Sequence, residues 1–463
     1  MRASVSISMA WMVLLAACGG AASGAGGPAA APGGAAADGA EATSGGDPAR
    51  QPARARDEAF EDAVAAAVRA HEVLISVSVV PGDPAAVADA ALAALAEGVL
   101  VEAPPAPWSG DAERDRAILR ERAGAIAQRA MRPAPADLPA RVARAMAAAA
   151  GDPHAFAVDG EELGELLATI SGEPFAGLGL SLHPAPGGAW VVSDVHAGGP
   201  AEVAGLERGD RIDAIDGEPV DAASLAALLR ALRPGQSVRL SASRRGAAAA
   251  PHDIVAARVR PPITTSRVLP GKVGYLRIHY LPHAEDPDGD AAVQVAGALR
   301  ELDRARVKRL VIDLRDNRGG APFDVASLLV RGDPLLRAQV PGQDPIPLTR
   351  TAEPWKVRRK TAVLINEQTT AAAEMIALAL RDHGEARLFG QPTAGALTVP
   401  GQAQLPGGVV LFFPQALVVG ASGAPAPGRR VEPHERIANP GPAEYAAGGD
   451  PQLAAALAWL GRR

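Results

Sequence analysis

Two consecutive glycines in Asn317-Arg318-Gly319-Gly320 are the feature of this chain best suited to hold a developing negative charge, because backbone N–H groups can approach an oxyanion there with no Cβ in the way. The segment follows residues 309–314, an apolar run with the texture of a strand, and ligands of open parallel sheets gather at the carboxyl ends of strands. An ordinary strand-to-helix turn uses the same residue types, so the glycines alone do not assign a site. Hydroxyls at Thr369 and Thr370 stand just before an expected helix at 371–383, where Thr370 reads as the N-cap. Asp286, Asp288 and Asp290 alternate like a calcium loop. The glycine, however, falls at Gly289 and the closing-carboxylate position is Gly297, which leaves a solvated acidic turn. Lys356, Arg358, Arg359 and Lys360 form a basic run before a strand and read as a solvent-facing entrance to a sheet. The histidines show no His-Glu-x-x-His spacing and Cys18 is the only cysteine, so neither a metal nor a cofactor is expected.

The elements that must position these residues lie in a region where strands and helices alternate. Within residues 261–440, strands are expected at 273–279, 309–314 and 362–366, and helices at 291–302 and 371–383, the last stopped by Gly384. Such alternation implies an α/β layer with a largely parallel sheet. Residues 441–463 read as a tail with a helix. Before this core, residues 173–260 change to short β-branched runs separated by glycines, with one helix at 221–232. Residues 57–172 are helical in pattern, with Phe60, Val64 and Val68 recurring along one face. Residues 19–56 are almost all Gly, Ala, Pro and Ser and form a disordered linker. Residues 1–18 carry Arg2, an apolar run at 5–15 too short to span a bilayer, and Leu15-Ala16-Ala17-Cys18, which resembles a lipobox. Lipid on Cys18 is then the membrane anchor, and the location is a bacterial cell envelope. The fold class is α+β multidomain: an N-terminal helical region, a β-rich module and the α/β core. Aromatics are 3% of the chain, so cores must be built from aliphatic side chains, and a net charge of −6 without a basic stripe excludes nucleic acid as a partner.

Gly177-Leu178-Gly179-Leu180, Gly199-Pro200-Ala201-Glu202-Val203-Ala204-Gly205-Leu206 and Gly209-Asp210-Arg211-Ile212 together resemble a PDZ domain. The resemblance implies that Leu178, Gly179, Leu180, Gly205 and Leu206 shape a groove in which a peptide adds as a strand and its carboxylate meets backbone N–H groups. Further on, Val273-Gly274-Tyr275-Leu276, Asp313-Leu314-Arg315-Asp316-Asn317-Arg318-Gly319-Gly320, Val363-Leu364-Ile365-Asn366 with Glu374, and Gly390-Gln391-Pro392-Thr393-Ala394-Gly395 occur in the order found in the C-terminal processing (tail-specific) serine peptidases. Gly428-Arg429-Arg430-Val431-Glu432-Pro433 is similar to that family's closing motif. In the family a serine stands three positions before the helix glutamate, and a lysine base directly follows the glycine of the Pro-Thr-x-Gly segment. Here those positions are Ala371 and Ala396. The resemblance therefore implies a serine peptidase fold with Gly319 and Gly320 as oxyanion loop, but no intact catalytic pair. The function expected is a pseudopeptidase that binds polypeptide C-termini or a protein partner. The alternative is an active endopeptidase with a displaced nucleophile, Thr370, served by His154, since Asp152-Pro153-His154 resembles the segment that supplies the base in the tricorn-like branch. A threonine one residue out of register points about 100° around the helix, away from the oxyanion donors.

Overall fold

The computed structural model describes residues 50–462 except 153, 171–173, 185–189, 222–224, 226–227, 229–231, 245, 261, 283–288, 318, 322, 425, 441–443 and 445–448. Cys18, the expected signal and most of the expected linker lie outside the described residues, as do Asp286, Asp288 and most of the expected helix at 221–232. No helix among the described residues is long and apolar enough to cross a membrane. The chain folds as two compact units, Met1–Gly164 with Pro400–Ala416, and Glu165–Val399 with Leu417–Arg463.

Four helices make most of the first unit: α1 (Arg50–Glu72), α2 (Pro84–Gly98), α3 (Ala112–Arg129) and α4 (Leu138–Ala149). Asp83 and Asp111 start α2 and α3 by accepting amide hydrogens of the first turn. Ala63, Ala66, Ala67 and Ala70 put a row of methyl groups on the buried face of α1. Leu92, Leu95, Leu119, Ile126, Leu138 and Met146 fill the remaining volume, so the aliphatic core required by the composition is realised here. β1 (Phe156–Val158) pairs antiparallel with residues 410–412 of the strand Val409–Val419, and Phe156 stacks on Phe412 at 4.8 Å. The helical region expected at 57–172 thus gains strands from far along the chain.

The second unit holds the β-rich module and the core. In the module, β2 (Leu180–Pro184), β3 (Trp190–Val195), β4 (Arg211–Ile215), β5 (Ser237–Ser243) and β6 (Ala250–Val255) pair antiparallel in that order, around Val192, Ile212, Val238, Leu240 and Ile254. The core sheet runs β7 (Thr264–Leu269), β8 (Val273–Ile278), β9 (Arg309–Asp313), β10 (Lys360–Ile365), β11 (Ala386–Gly390) and β12 (Glu435–Arg436). Only the β7–β8 pair is antiparallel. Helices α5 (Ala291–Arg304), α6 (Phe323–Leu329) and α7 (Ala372–Asp382) alternate with these strands, and α8 (Pro451–Gly461) packs Ala456 and Leu460 on Tyr275, Val311, Leu364 and Phe389. Every residue of β8 is buried, as a strand covered on both faces requires. Asp290 caps α5 through Val293 N, so this member of the expected acidic turn has a local structural role.

Candidate active site

The site grows from the carboxyl ends of β9 and β10. Asp313 closes β9 wholly buried, and its carboxylate accepts from Tyr275 Oη at 2.7 Å, from Arg315 Nη2 at 2.6 Å and from Arg315 Nε at 2.9 Å. Burial alone would raise this carboxyl, but the Arg315 and Arg277 charges outweigh burial and hold it below the usual carboxylate range. Burial and the Asp313 charge together push the Tyr275 hydroxyl above its ordinary value. Arg315 reaches onward to Asp450 and Gln452 at the start of α8, at 2.7–3.0 Å. The strand end is thereby fixed from beneath by a second element.

Above this anchor the chain turns at Asp316, whose φ is +62°. Its amide donates to Asn366 Oδ1 at 3.0 Å, and its Oδ1 accepts from Asn366 Nδ2 at 2.8 Å and lies 2.9 Å from His183 Nδ1 of β2. Burial works against the Asp316 carboxylate, but His183, Arg277 and Asn366 bring its pKa down. Asn317, wholly buried, donates to Ile278 O at 2.9 Å, accepts Gly319 N–H on its Oδ1 at 2.9 Å, and receives Thr370 N–H on its carbonyl at 2.9 Å. At Gly319, where φ is +95°, a Cβ would stand 2.9 Å from the Ala371 methyl. At Gly320, where φ is +128°, it would stand 2.0 Å from Leu281 O. Only glycine fits either place, and the Gly319 backbone lies directly against the residue 371 side chain.

The Asn366 turn leads into α7. Thr369, wholly buried, donates its hydroxyl to Leu314 O at 2.9 Å and accepts Asn366 N–H at 3.0 Å. The N-cap expected at Thr370 is corrected: the cap residue is Ala371, and Glu374 one turn on accepts its N–H at 2.9 Å. The reason is the backbone of Ala371, with φ +51° and ψ −115°, a conformation costly for any residue with a Cβ. Such a sharp, strained strand-to-helix elbow is the geometry that presents a nucleophile at the tip of a turn.

Glu374 ties the elbow to the second family position. Its Oε2 accepts Ala371 N–H at 2.9 Å and Ala396 N–H at 2.7 Å, while Oε1 accepts Gly395 N–H at 2.9 Å and the Thr393 hydroxyl. Burial pushes the Glu374 carboxyl up, opposed by these four donors. One carboxylate oxygen therefore bridges the amides of residues 371 and 396, and both positions belong to one site. Val431 N–H donates to Thr393 Oγ1 at 2.8 Å, which brings in the closing motif. The sequence signal for the role of Glu374 is its place three residues after the cap position, where a capping box has its glutamate. His183, Asp450 and Gln452 carried no local signal at all.

The remaining expected residues are placed as follows. Leu178 and Leu206 are buried in the module core and both bond Ala201, through Leu178 O at 2.8 Å and Leu206 N–H at 3.0 Å. Gly179, with φ +72°, accepts His196 N–H at 2.9 Å, and Leu180 begins β2, which among the described residues pairs only with β3. Gly205 follows the short helix Pro200–Val203, and its carbonyl accepts Arg244 Nη2 at 2.9 Å. His154 belongs to the first unit, where its amide donates to Asp152 Oδ1 at 2.8 Å, whereas Thr370 belongs to the second. Among the described residues no group of three or more His, Cys, Asp or Glu side chains is placed to hold a metal ion.

With these positions established, residues 272–437 match the model of peptidase family S41, and residues 191–244 match a PDZ domain model. The carboxy-terminal processing protease CtpA of Bacillus subtilis (strain 168) is 27% identical over 257 residues, covering 54% of this chain and 53% of that one. The carboxyl-terminal-processing protease of Synechocystis sp. is 29% identical over 263 residues, covering 54% and 59%. A solved structure titled photosystem II D1 C-terminal processing protease aligns with a TM-score of 0.46 and 24% identity over 65% of this chain and 82% of its own. The chain spans a little over half the length of the two curated relatives. Residues 272–437 of this chain thus form a peptidase family S41 core with a PDZ module beside it in sequence, and in this combination the chain is similar to the C-terminal processing serine peptidases.

Proposed function

We propose that the chain is an envelope lipoprotein, held through Cys18, that captures polypeptide C-termini or a partner protein on its PDZ module and peptidase core without cutting them. The observation that carries this reading is the pair of methyl groups at Ala371 and Ala396, on the two amides bridged by Glu374 Oε2. A methyl group neither attacks a carbonyl nor accepts a proton, so the covalent route has neither nucleophile nor base. The edge of β2 that has no strand partner among the described residues supports the binding half of the reading, because an unpaired strand edge is where an extended chain end adds as a further strand.

The test is to incubate the purified protein with a fluorescently labelled unfolded polypeptide, following anisotropy for binding and mass spectrometry for cleavage. Saturable binding with the polypeptide intact is expected. Gly179→Asp should weaken binding about tenfold or more, since the new carboxylate repels a peptide carboxylate and its Cβ would stand 2.9 Å from Pro200 Cδ. Cleavage that disappears in Thr370→Ala would overturn the reading in favour of a displaced nucleophile.

A further inference from the structure

The basic run before β10 does more than enter the sheet. At the amino ends of β10 and β11, the strand ends opposite those that carry Asp316 and Asn366, lies a cavity of about 490 Å³. Arg331, Arg358, Arg359, Lys360 and Arg387 line it, against one carboxylate, Glu385. That carboxylate is already occupied, since Glu385 Oε1 accepts the amides of Arg331 and Gly332 at 2.7 and 3.1 Å. Of the five cations, Arg359 is ion-paired with Asp303. Among the described residues Arg331 and Lys360 meet only neutral partners: Arg331 Nη2 donates to the carbonyls of Trp355 and Lys356, and Lys360 Nζ to those of Trp459 and Arg462, while lying 4.4 Å from the Trp459 ring centre. Neither charge is cancelled by a described carboxylate.

Arg387 carries the argument furthest. Its Nε is buried with no acceptor among the described residues, and its guanidinium rests 5.9 Å from the Phe389 ring centre. A buried guanidinium donor without an acceptor is costly unless a ligand supplies one. Arg358, exposed at the rim, has no ion pair or hydrogen bond among the described residues. Beside them His434 accepts Leu388 N–H on Nδ1 at 3.0 Å. Burial and the charges of Arg387 and Arg381 lower its pKa, as they must in a positive field. A concave site with low-dielectric walls and charge of one sign concentrates the opposite ion, and a cavity of this volume accommodates a small organic molecule.

We propose that this cavity is a second binding site, separate from the peptidase site, for a small oxyanion of two or more charges. Guanidinium forks match phosphate and carboxylate oxygens alike, so a phosphate ester and a polycarboxylate share the chemistry recognised here. Trp355 and Trp459 line the same cavity and report its occupancy.

The experiment titrates the full chain with pyrophosphate, with adenosine monophosphate and with citrate at constant ionic strength, reading tryptophan fluorescence and thermal midpoint. A saturable fluorescence change and a raised midpoint are expected with at least one probe, and the probe that binds distinguishes phosphate from carboxylate. Arg387→Gln and Arg358→Gln should each weaken that binding about tenfold, the equivalent of one charge-assisted contact. Arg358→Gln keeps the fold question apart, because the side chain it alters is exposed and unpaired. No saturable change with any probe at millimolar concentration overturns the proposal, as does unaltered affinity in both variants.

Discussion

At the scale of single residues, the site holds a strained strand-to-helix elbow with a methyl group, that of Ala371, at its tip. Ala371 keeps φ +51° and ψ −115° because its amide is held by Glu374 and the carbonyl of Asn317 fixes the preceding amide of Thr370. A strained residue persists when its surroundings over-determine it, and here every one of those contacts is made by a neighbour and none by the side chain of residue 371. On the proposed function, a catalytic pair should therefore be installable here. Ala371→Ser with Ala396→Lys is expected to react with a serine-directed phosphonate probe at the introduced serine, with no labelling of the parent or of either single variant. A serine alone has the Gly319 backbone beside it but no base, and a lysine alone has nothing to activate, so the two changes act as one unit. Ala396 is only 3% exposed, and burial favours the neutral lysine that can accept a proton, while the Glu374 carboxylate opposes it. Labelling should accordingly rise with pH as that lysine loses its proton. Equal labelling of the parent would mean that another residue is the nucleophile.

At the scale of elements, strand β2 of the PDZ module touches the loop that shapes the peptidase site. His183 of β2 is buried with its Nδ1 2.9 Å from Asp316 Oδ1, one residue before the buried Asn317 that holds Gly319. His183→Ala leaves the Asp316 carboxylate with Asn366 and a longer 3.5 Å contact to Arg277. The loss should be about 2 kcal/mol of stability in urea unfolding. It should also bring faster amide hydrogen exchange at residues 316–320 than elsewhere in the core. Unchanged exchange in that loop would show that β2 does not brace it. No sequence pattern announces this contact, which joins residues far apart in the chain. What could be read locally was read: the apolar run at 273–278 is β8, the helix stop at Gly384 follows α7, and the family blocks fall on the turns after β9 and β10. What could not be read was supplied by distant partners. Asp450 and Gln452 clamp Arg315 from the tail helix, and residues 400–416 join the helices of the first unit because their apolar faces close that core. Thr370 has the residue type of a cap but not the place of one, because cap preference is a local statistic, whereas the backbone there is set by Glu374 and Asn317.

Across the whole molecule, the buried ionisable groups combine to make the fold labile to acid. His71 in the first unit and His196 and His279 in the second are all lowered by burial, His279 to about 4, with the Arg277 charge acting in the same direction on both His196 and His279. In the unfolded chain these imidazoles take up protons near pH 6.5, while in the folded protein they stay neutral to lower pH. The unfolded state therefore binds more protons in that window, and stability falls as pH drops from about 6.5 towards 4. His279 alone is worth about 3 kcal/mol over this interval, from a pKa shift from 6.5 to about 4. Below pH 4 the carboxylates take over with the same sign. Asp115, Asp159, Asp313 and Asp316 are all held below their ordinary values, and the stability they confer is lost as pH falls through their folded pKa values. Glu374 runs the other way, since burial raises it, and regains a part as the pH falls through that raised value. Because at least three histidines outweigh this one glutamate, the thermal midpoint should decline steadily from pH 7 to pH 4. His279→Gln, which cannot take up a proton, should flatten that decline between about pH 6.5 and 4. A midpoint independent of pH between 7 and 4 in the parent protein would mean that these imidazoles are not held neutral in the fold, and the burial argument for all three would fail together.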